Sequence, residues 1–74
     1  MTEMERVWAQ MKLTARELAA TEAPPSLGRA EGIIWRIFYE QRAELPPAEA
    51  LSYLAREMRD FVIAFAGETA AVAA

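Results

Sequence analysis

Two proline pairs, Pro24-Pro25 and Pro46-Pro47, divide this 74-residue chain into three segments of similar length. Proline has no backbone N–H and steers the preceding residue out of the helical region, so a helix does not continue through either pair. Within each segment the apolar residues recur at intervals of three and four, which is the spacing of one face of an α-helix. The sequence therefore predicts an all-α fold with helices at about residues 2–21, 27–44 and 47–66.

The ends of the three segments carry residues that favour helix termini. Thr2 and Glu5 have the spacing of a capping box, and Ser26 is a suitable N-cap for the second helix. Pro47 suits the first turn of the third helix, and Gly67 suits the position just past its end. We therefore expect one helical domain over residues 1–67, followed by a flexible tail over residues 68–74.

A β-strand is the alternative for residues 33–39, which are rich in isoleucine and aromatic residues. A half-buried strand needs apolar and polar residues to alternate. Here Ile33 is next to Ile34, and Phe38 is next to Tyr39, so the alternation fails. The pattern favours a helix.

The predicted connections are only a few residues long, so consecutive helices should run antiparallel. A three-helix antiparallel bundle within one chain satisfies this. A competing arrangement lets helices 2 and 3 form a hairpin that pairs with a second copy, while helix 1 packs across it or swaps. The sequence leaves both open, so the bundle is either complete in the monomer or completed by dimerisation.

Composition argues against an enzyme. The chain contains no cysteine and no histidine, which removes disulfides, thiolate or imidazole zinc sites, and the side chains most used as nucleophile and general base. Ser26 and Ser52 have no imidazole to activate them, and the three scattered glycines do not form a phosphate-binding loop. We predict no catalytic residues, no metal, no cofactor and no small-molecule substrate.

Charge and hydropathy argue against nucleic acid and membrane as partners. The net charge of −3 does not favour binding to phosphates or anionic lipids. No segment approaches the ~20 apolar residues that cross a bilayer, and the acidic amino terminus lacks the apolar core of a secretory signal. We expect a cytoplasmic protein.

An unusual edge of the second helix carries Gly28, Gly32, Trp35 and Tyr39, separated by four, three and four residues. Glycines four apart permit close approach of another helix, and tryptophan and tyrosine are favoured interface anchors. One interpretation is packing against a neighbouring helix of the same bundle. The other is a surface for a protein partner or a second copy, extended by apolar residues outside the main helix faces, namely Leu13, Tyr53 and Ile63.

We therefore predict a small non-enzymatic helical module for protein–protein interaction or regulation, which self-associates and uses Gly28, Gly32, Trp35 and Tyr39 as its partner-binding residues. The alternative is a DNA-binding regulator similar to helix-turn-helix proteins. It rests on the Ala-Arg-Glu-Leu-Ala pattern within residues 13–20 and on Arg29 and Arg36 in helix 2. A third hypothesis makes the chain a subunit stabilised by a non-identical partner.

Overall fold

The computed structural model of the protein describes residues 1–73, with side chains described over residues 1–68. Three helices are present in this part of the chain: α1 (Glu3–Thr21), α2 (Leu27–Glu40) and α3 (Ala48–Ala73). The described residues contain no strand, so the helical interpretation of residues 33–39 is confirmed.

Side-chain caps start the first two helices as the sequence predicts. The Thr2 hydroxyl accepts a hydrogen bond from the Glu5 N–H at 3.1 Å, and Glu5 Oε1 accepts one from the Thr2 N–H at 3.3 Å, which completes the capping box. At α2, Ser26 Oγ accepts from the Arg29 N–H at 3.2 Å. Each contact satisfies a main-chain donor that has no partner within its helix.

Helix α2 ends at Glu40, so the predicted end at residue 44 is wrong. Arg42 adopts a left-handed conformation with φ of 53°. Its N–H donates to the Tyr39 carbonyl at 3.1 Å, and the Ala43 N–H donates to the Phe38 carbonyl at 2.9 Å. This pair of bonds is a Schellman motif, which is usually made with glycine at the left-handed position. An arginine there gives no such signal in the sequence.

Helix α3 begins at Ala48, where the Pro47 carbonyl accepts from the Leu51 N–H at 3.0 Å. The helix continues through Gly67, so the predicted end near residue 66 is wrong. Gly67 has a negative φ, and a glycine inside a helix costs only about 1 kcal/mol relative to alanine. The flexible tail expected at residues 68–74 falls mostly on residues whose side chains lie outside the described part, and it stays a prediction.

The helices pack as a three-helix bundle with α3 as its hub. Helix α3 packs extensively against both α1 and α2, whereas α1 and α2 contact each other over a smaller region. All three helices supply the core, which consists of Val7, Met11, Ala15, Ala30, Ile33, Ile34, Ile37, Phe38, Leu51, Leu54, Ala55, Met58 and Val62. Because α2 needs only one face for this core, its opposite face is left for solvent.

An aromatic cluster closes the outer side of the α1–α3 interface. Trp8 meets Phe61 edge to face with 5.9 Å between ring centroids, and Phe61 stacks on Phe65 at 6.1 Å. Arg16 places its guanidinium carbon 4.0 Å from the centroid of the Phe65 ring, and Lys12 Nζ lies 6.0 Å from that of Phe61. The rings are half-buried and lie against the core, so this cluster has a packing role.

Polar contacts hold both linkers against the bundle. Arg29 Nη1 lies 2.5 Å from Glu22 Oε2, which joins the first turn of α2 to the end of α1 across the Pro24-Pro25 linker. The Glu44 N–H donates to Glu3 Oε1 at 2.6 Å, which ties the second linker to the first turn of α1. Both contacts are exposed, so each contributes little stability by itself.

Candidate functional site

The outward face of α2 carries the four residues that the sequence singles out. Ile34 and Phe38 are buried on the inner side, whereas Gly28 and Gly32 are exposed, Trp35 is 51% exposed and Tyr39 is 84% exposed. The interpretation of this edge as packing inside the monomer is therefore wrong. The reason is that α3, and not α2, lies between the other two helices.

The two glycines form open notches along this face. A Cβ atom built on Gly28 or Gly32 would meet no atom within 4 Å outside the immediate chain and its own helix backbone. No neighbour inside the bundle therefore requires glycine at either position. The notches do expose helix backbone, to which another helix could come close.

An apolar groove lies at the carboxyl end of the same face. The Schellman turn after Glu40 brings the second linker back beside the helix, and Leu45 then lies near the two exposed rings. The groove has a volume of about 170 Å³ and is lined by Trp35, Phe38, Tyr39, Ala43 and Leu45. The sequence predicts that helix 2 continues to residue 44, so the return of Leu45 to this groove was not expected.

A second hollow, of about 230 Å³, lies where α2 packs on α3. Its lining is mixed, with Leu27 and Ala55 beside Glu31, Ser52 and Arg56. Leu27 and Glu31 continue the four-residue row that leads to Trp35 and Tyr39, so the hollow borders the same surface. That row at residues 27, 31, 35 and 39 was a sequence signal for the wider surface.

The three apolar residues proposed as extensions are exposed but lie elsewhere. Leu13 is on α1, and Tyr53 and Ile63 are on α3. None of the three lines the groove beside Trp35 or the hollow beside Glu31. Within the described residues, the candidate site therefore reduces to one face of α2 with the linker that follows it.

The arginines of the DNA-binding alternative are both paired with carboxylates. Arg29 binds Glu22, and Arg36 Nε lies 3.4 Å from Glu40 Oε1. The hydrogen bond and charge of Glu22 raise the pKa of Arg29, and Arg29 in turn lowers the pKa of the Glu22 carboxyl. Acidic partners reduce the positive potential that a phosphate backbone would need, so this face does not favour the alternative.

The described residues hold no group of three or more acidic, histidine or cysteine side chains that could bind a metal ion. In the same part of the chain, no helix combines the length and the apolar character needed to cross a membrane. The arrangement that stands out chemically is an exposed aromatic pair beside glycine notches and an apolar groove.

In comparisons with protein-family models, with curated proteins and with solved structures, the chain showed no match.

Proposed function

We propose that this chain is a non-enzymatic helical module for protein–protein interaction, which binds through the outward face of α2 and self-associates. The observation that carries this proposal is the exposure of Trp35 and Tyr39 on a helix whose opposite face is fully used by the core. In a domain of this size, two large rings left in solvent beside an apolar groove are a candidate interface.

The energetics favour an aromatic anchor. Burying the exposed part of each ring would contribute roughly 3 kcal/mol at ~25 cal/mol per Å². Tryptophan and tyrosine also lose little side-chain freedom when they bind, which is one reason why they dominate interface energies. The groove with Ala43 and Leu45 supplies an apolar surface next to both rings.

The mechanism is occupation of a helical surface. A partner helix would lie along α2, fill the notches at Gly28 and Gly32, and cover Trp35 and Tyr39. The inner face of α2 would keep its contacts with the core, so binding would need little rearrangement of the bundle.

The test compares two double variants that each remove two exposed apolar side chains. Trp35→Ala with Tyr39→Ala removes the two rings of the candidate site, and Leu13→Ala with Tyr53→Ala removes exposed residues elsewhere. Circular dichroism checks that each variant stays folded. Self-association is measured by light scattering, and any chain that co-purifies from the source cells is purified and titrated against each variant.

We expect the first double variant to lose association and the second to keep it, with little dependence on salt. Association that persists in the folded Trp35/Tyr39 variant would contradict the proposal. Binding to nucleic acid that weakens steeply as salt rises would instead support the DNA-binding alternative.

A further inference from the structure

We propose that the partner of this face is α2 of a second copy, paired antiparallel about a twofold axis that passes level with the midpoint between Ile33 and Ile34. This inference rests on the proposed function and gives it an occupant, an orientation and a register. It would make the module an isologous homodimer, in which the same surface is used by both subunits.

The spacing of these four residues along α2 is symmetric. Steps of four, three and four residues read the same in both directions, and their midpoint lies between residues 33 and 34. An antiparallel pairing about that point places Trp35 level with Gly32 of the partner subunit, and Tyr39 level with Gly28 of the partner subunit. Each ring therefore lies at the same level along the axis as a notch of the other copy, and the interface contains four such pairs.

The shape of the face also favours this pairing. Gly28 and Gly32 have open space where a Cβ would lie, and Trp35 and Tyr39 project from the same face. A parallel pairing would instead set ring against ring and notch against notch, which leaves both collisions and voids. The antiparallel orientation therefore suits this face better than the parallel one.

Opposite charges at the two ends of α2 come close together in the same register. Arg29 and Glu40 lie on the same flank of this face, at opposite ends of α2. In the antiparallel register Arg29 is level with Phe38 of the partner subunit, two residues or about 3 Å along the axis from Glu40 of the partner subunit. Arg29 binds Glu22 and Glu40 binds Arg36 of its own chain, but a guanidinium with five donors and a carboxylate with two oxygens can each hold a second partner. Antiparallel helices also oppose their dipoles favourably.

The position of α2 in the bundle leaves room for the second copy. The face lies opposite the buried side that carries Ile34 and Phe38. The other two helices pack against that buried side and do not cover the glycines. Two bundles can therefore approach back to back along α2.

The register can be tested by disulfide formation, because the chain has no cysteine of its own. Gly28→Cys and Tyr39→Cys are prepared separately, mixed in equal amounts and oxidised gently, and the products are separated by mass. Tyr53→Cys, at an exposed position on α3, is the control. We expect the mixed disulfide between positions 28 and 39 to exceed both homodisulfides, since like positions would be about 16 Å apart along the axis. A predominance of homodisulfides would overturn the antiparallel register.

The role of the notch at Gly32 is tested by comparing it with Gly67, a glycine on α3 outside the proposed interface. Gly32 and Gly67 are both helical and both have open space around a Cβ, so glutamine at either position leaves the bundle folded. Sedimentation equilibrium should show the Gly67→Gln chain to dimerise like the original. The Gly32→Gln chain should dimerise about tenfold or more weakly, because its side chain occupies the site of the partner's Trp35. Equal dimerisation of the two variants would overturn the inference.

The outcomes also separate this inference from the function on which it rests. A monomeric wild-type chain at millimolar concentration overturns the inference and the self-association named in the proposed function, but the proposed binding face survives if a purified partner still binds in a Trp35- and Tyr39-dependent way. Dimers that depend on Trp35 and Tyr39 but form in another register overturn only the inference. If the chain is monomeric and shows no binding that depends on Trp35 and Tyr39, both the inference and the proposed function are wrong.

Discussion

Trp8 of α1 packs edge to face on Phe61 of α3, with 5.9 Å between the ring centroids, whereas Trp35 contributes no ring contact of this kind among the described residues. The two tryptophans of the chain therefore have different roles. One joins two helices of the bundle, and the other lies on the candidate interface.

The two tryptophans should respond differently to truncation. Trp8→Ala removes an aromatic pair and a half-buried ring, so we expect the free energy of unfolding to fall by about 2–4 kcal/mol. Trp35→Ala, at a concentration where the chain is monomeric, should lower it by less, about 1–2 kcal/mol, because only about half of this ring is covered within the chain. Urea unfolding followed by circular dichroism measures both. Equal losses would mean that the two rings stabilise the monomer alike.

Arg42 should tolerate glycine with a gain in stability. Its φ of 53° is unfavourable for a residue with a Cβ, and glycine is the usual residue at this position of a Schellman motif. We expect Arg42→Gly to raise the free energy of unfolding by about 0.5–1 kcal/mol. Arg59→Gly, in the interior of α3, is the matched control and should lower it by about 1 kcal/mol. A lower free energy of unfolding for both variants would show that the Arg42 side chain stabilises the fold by more than its left-handed backbone destabilises it.

The capping box at the start of α1 should contribute about 1 kcal/mol to the free energy of unfolding. Thr2→Ala removes the hydroxyl that accepts the Glu5 N–H, and it leaves that donor without a partner in the first turn. Thr21→Ala removes a hydroxyl at the other end of α1, where it donates to the Glu17 carbonyl. Thermal unfolding should show a clear decrease in Tm for Thr2→Ala and a smaller one for Thr21→Ala. The reverse order would contradict this account of the cap.

The ion pair between Glu22 and Arg29 should make stability depend on pH in the acidic range. Arg29 lowers the pKa of the folded Glu22 carboxyl below its ordinary value of 4.5, so the unfolded chain takes up this proton at a higher pH. The stabilisation is therefore present above about pH 4.5 and is lost as pH falls through the folded value. Because the pair is exposed, the effect should be small and should shrink in high salt.

The measurement is the urea midpoint of the original chain and of Glu22→Gln at pH 7 and pH 3. We expect the original chain to be the more stable at pH 7, and the difference to be smaller at pH 3. Glu17→Gln, also on α1, is the control and should leave the pH dependence of the original chain in place. A Glu22 difference that stays constant with pH would exclude the ion pair as its cause.

The helix ends show which boundaries can be predicted from a few neighbouring residues. Thr2 with Glu5, and Ser26, act as caps because a cap needs only residues within one turn, and these are visible in the sequence. The end of α2 was misplaced because the left-handed residue there is Arg42 rather than glycine. Gly67 caused the opposite error, since glycine is typical of a helix end but α3 continues through this residue.

The candidate site shows the limit of such patterns. The spacing of Gly28, Gly32, Trp35 and Tyr39 is a property of one helix, and it was readable in the chain. Their exposure depends on which helix lies between the other two, and Leu45 joins the rings only because α2 ends early. Neither fact follows from helical periodicity.

The proline pairs, the apolar periodicity and the caps were sufficient to define three helices and the inner face of each, since these depend on interactions within a few residues. The choice of α3 as the hub, and hence the exposure of Trp35 and Tyr39, arose from packing between residues far apart in the chain. Amphipathic faces specify what must be buried, and several arrangements of three helices can bury it. The arrangement of the whole bundle therefore decides which edge remains for a partner.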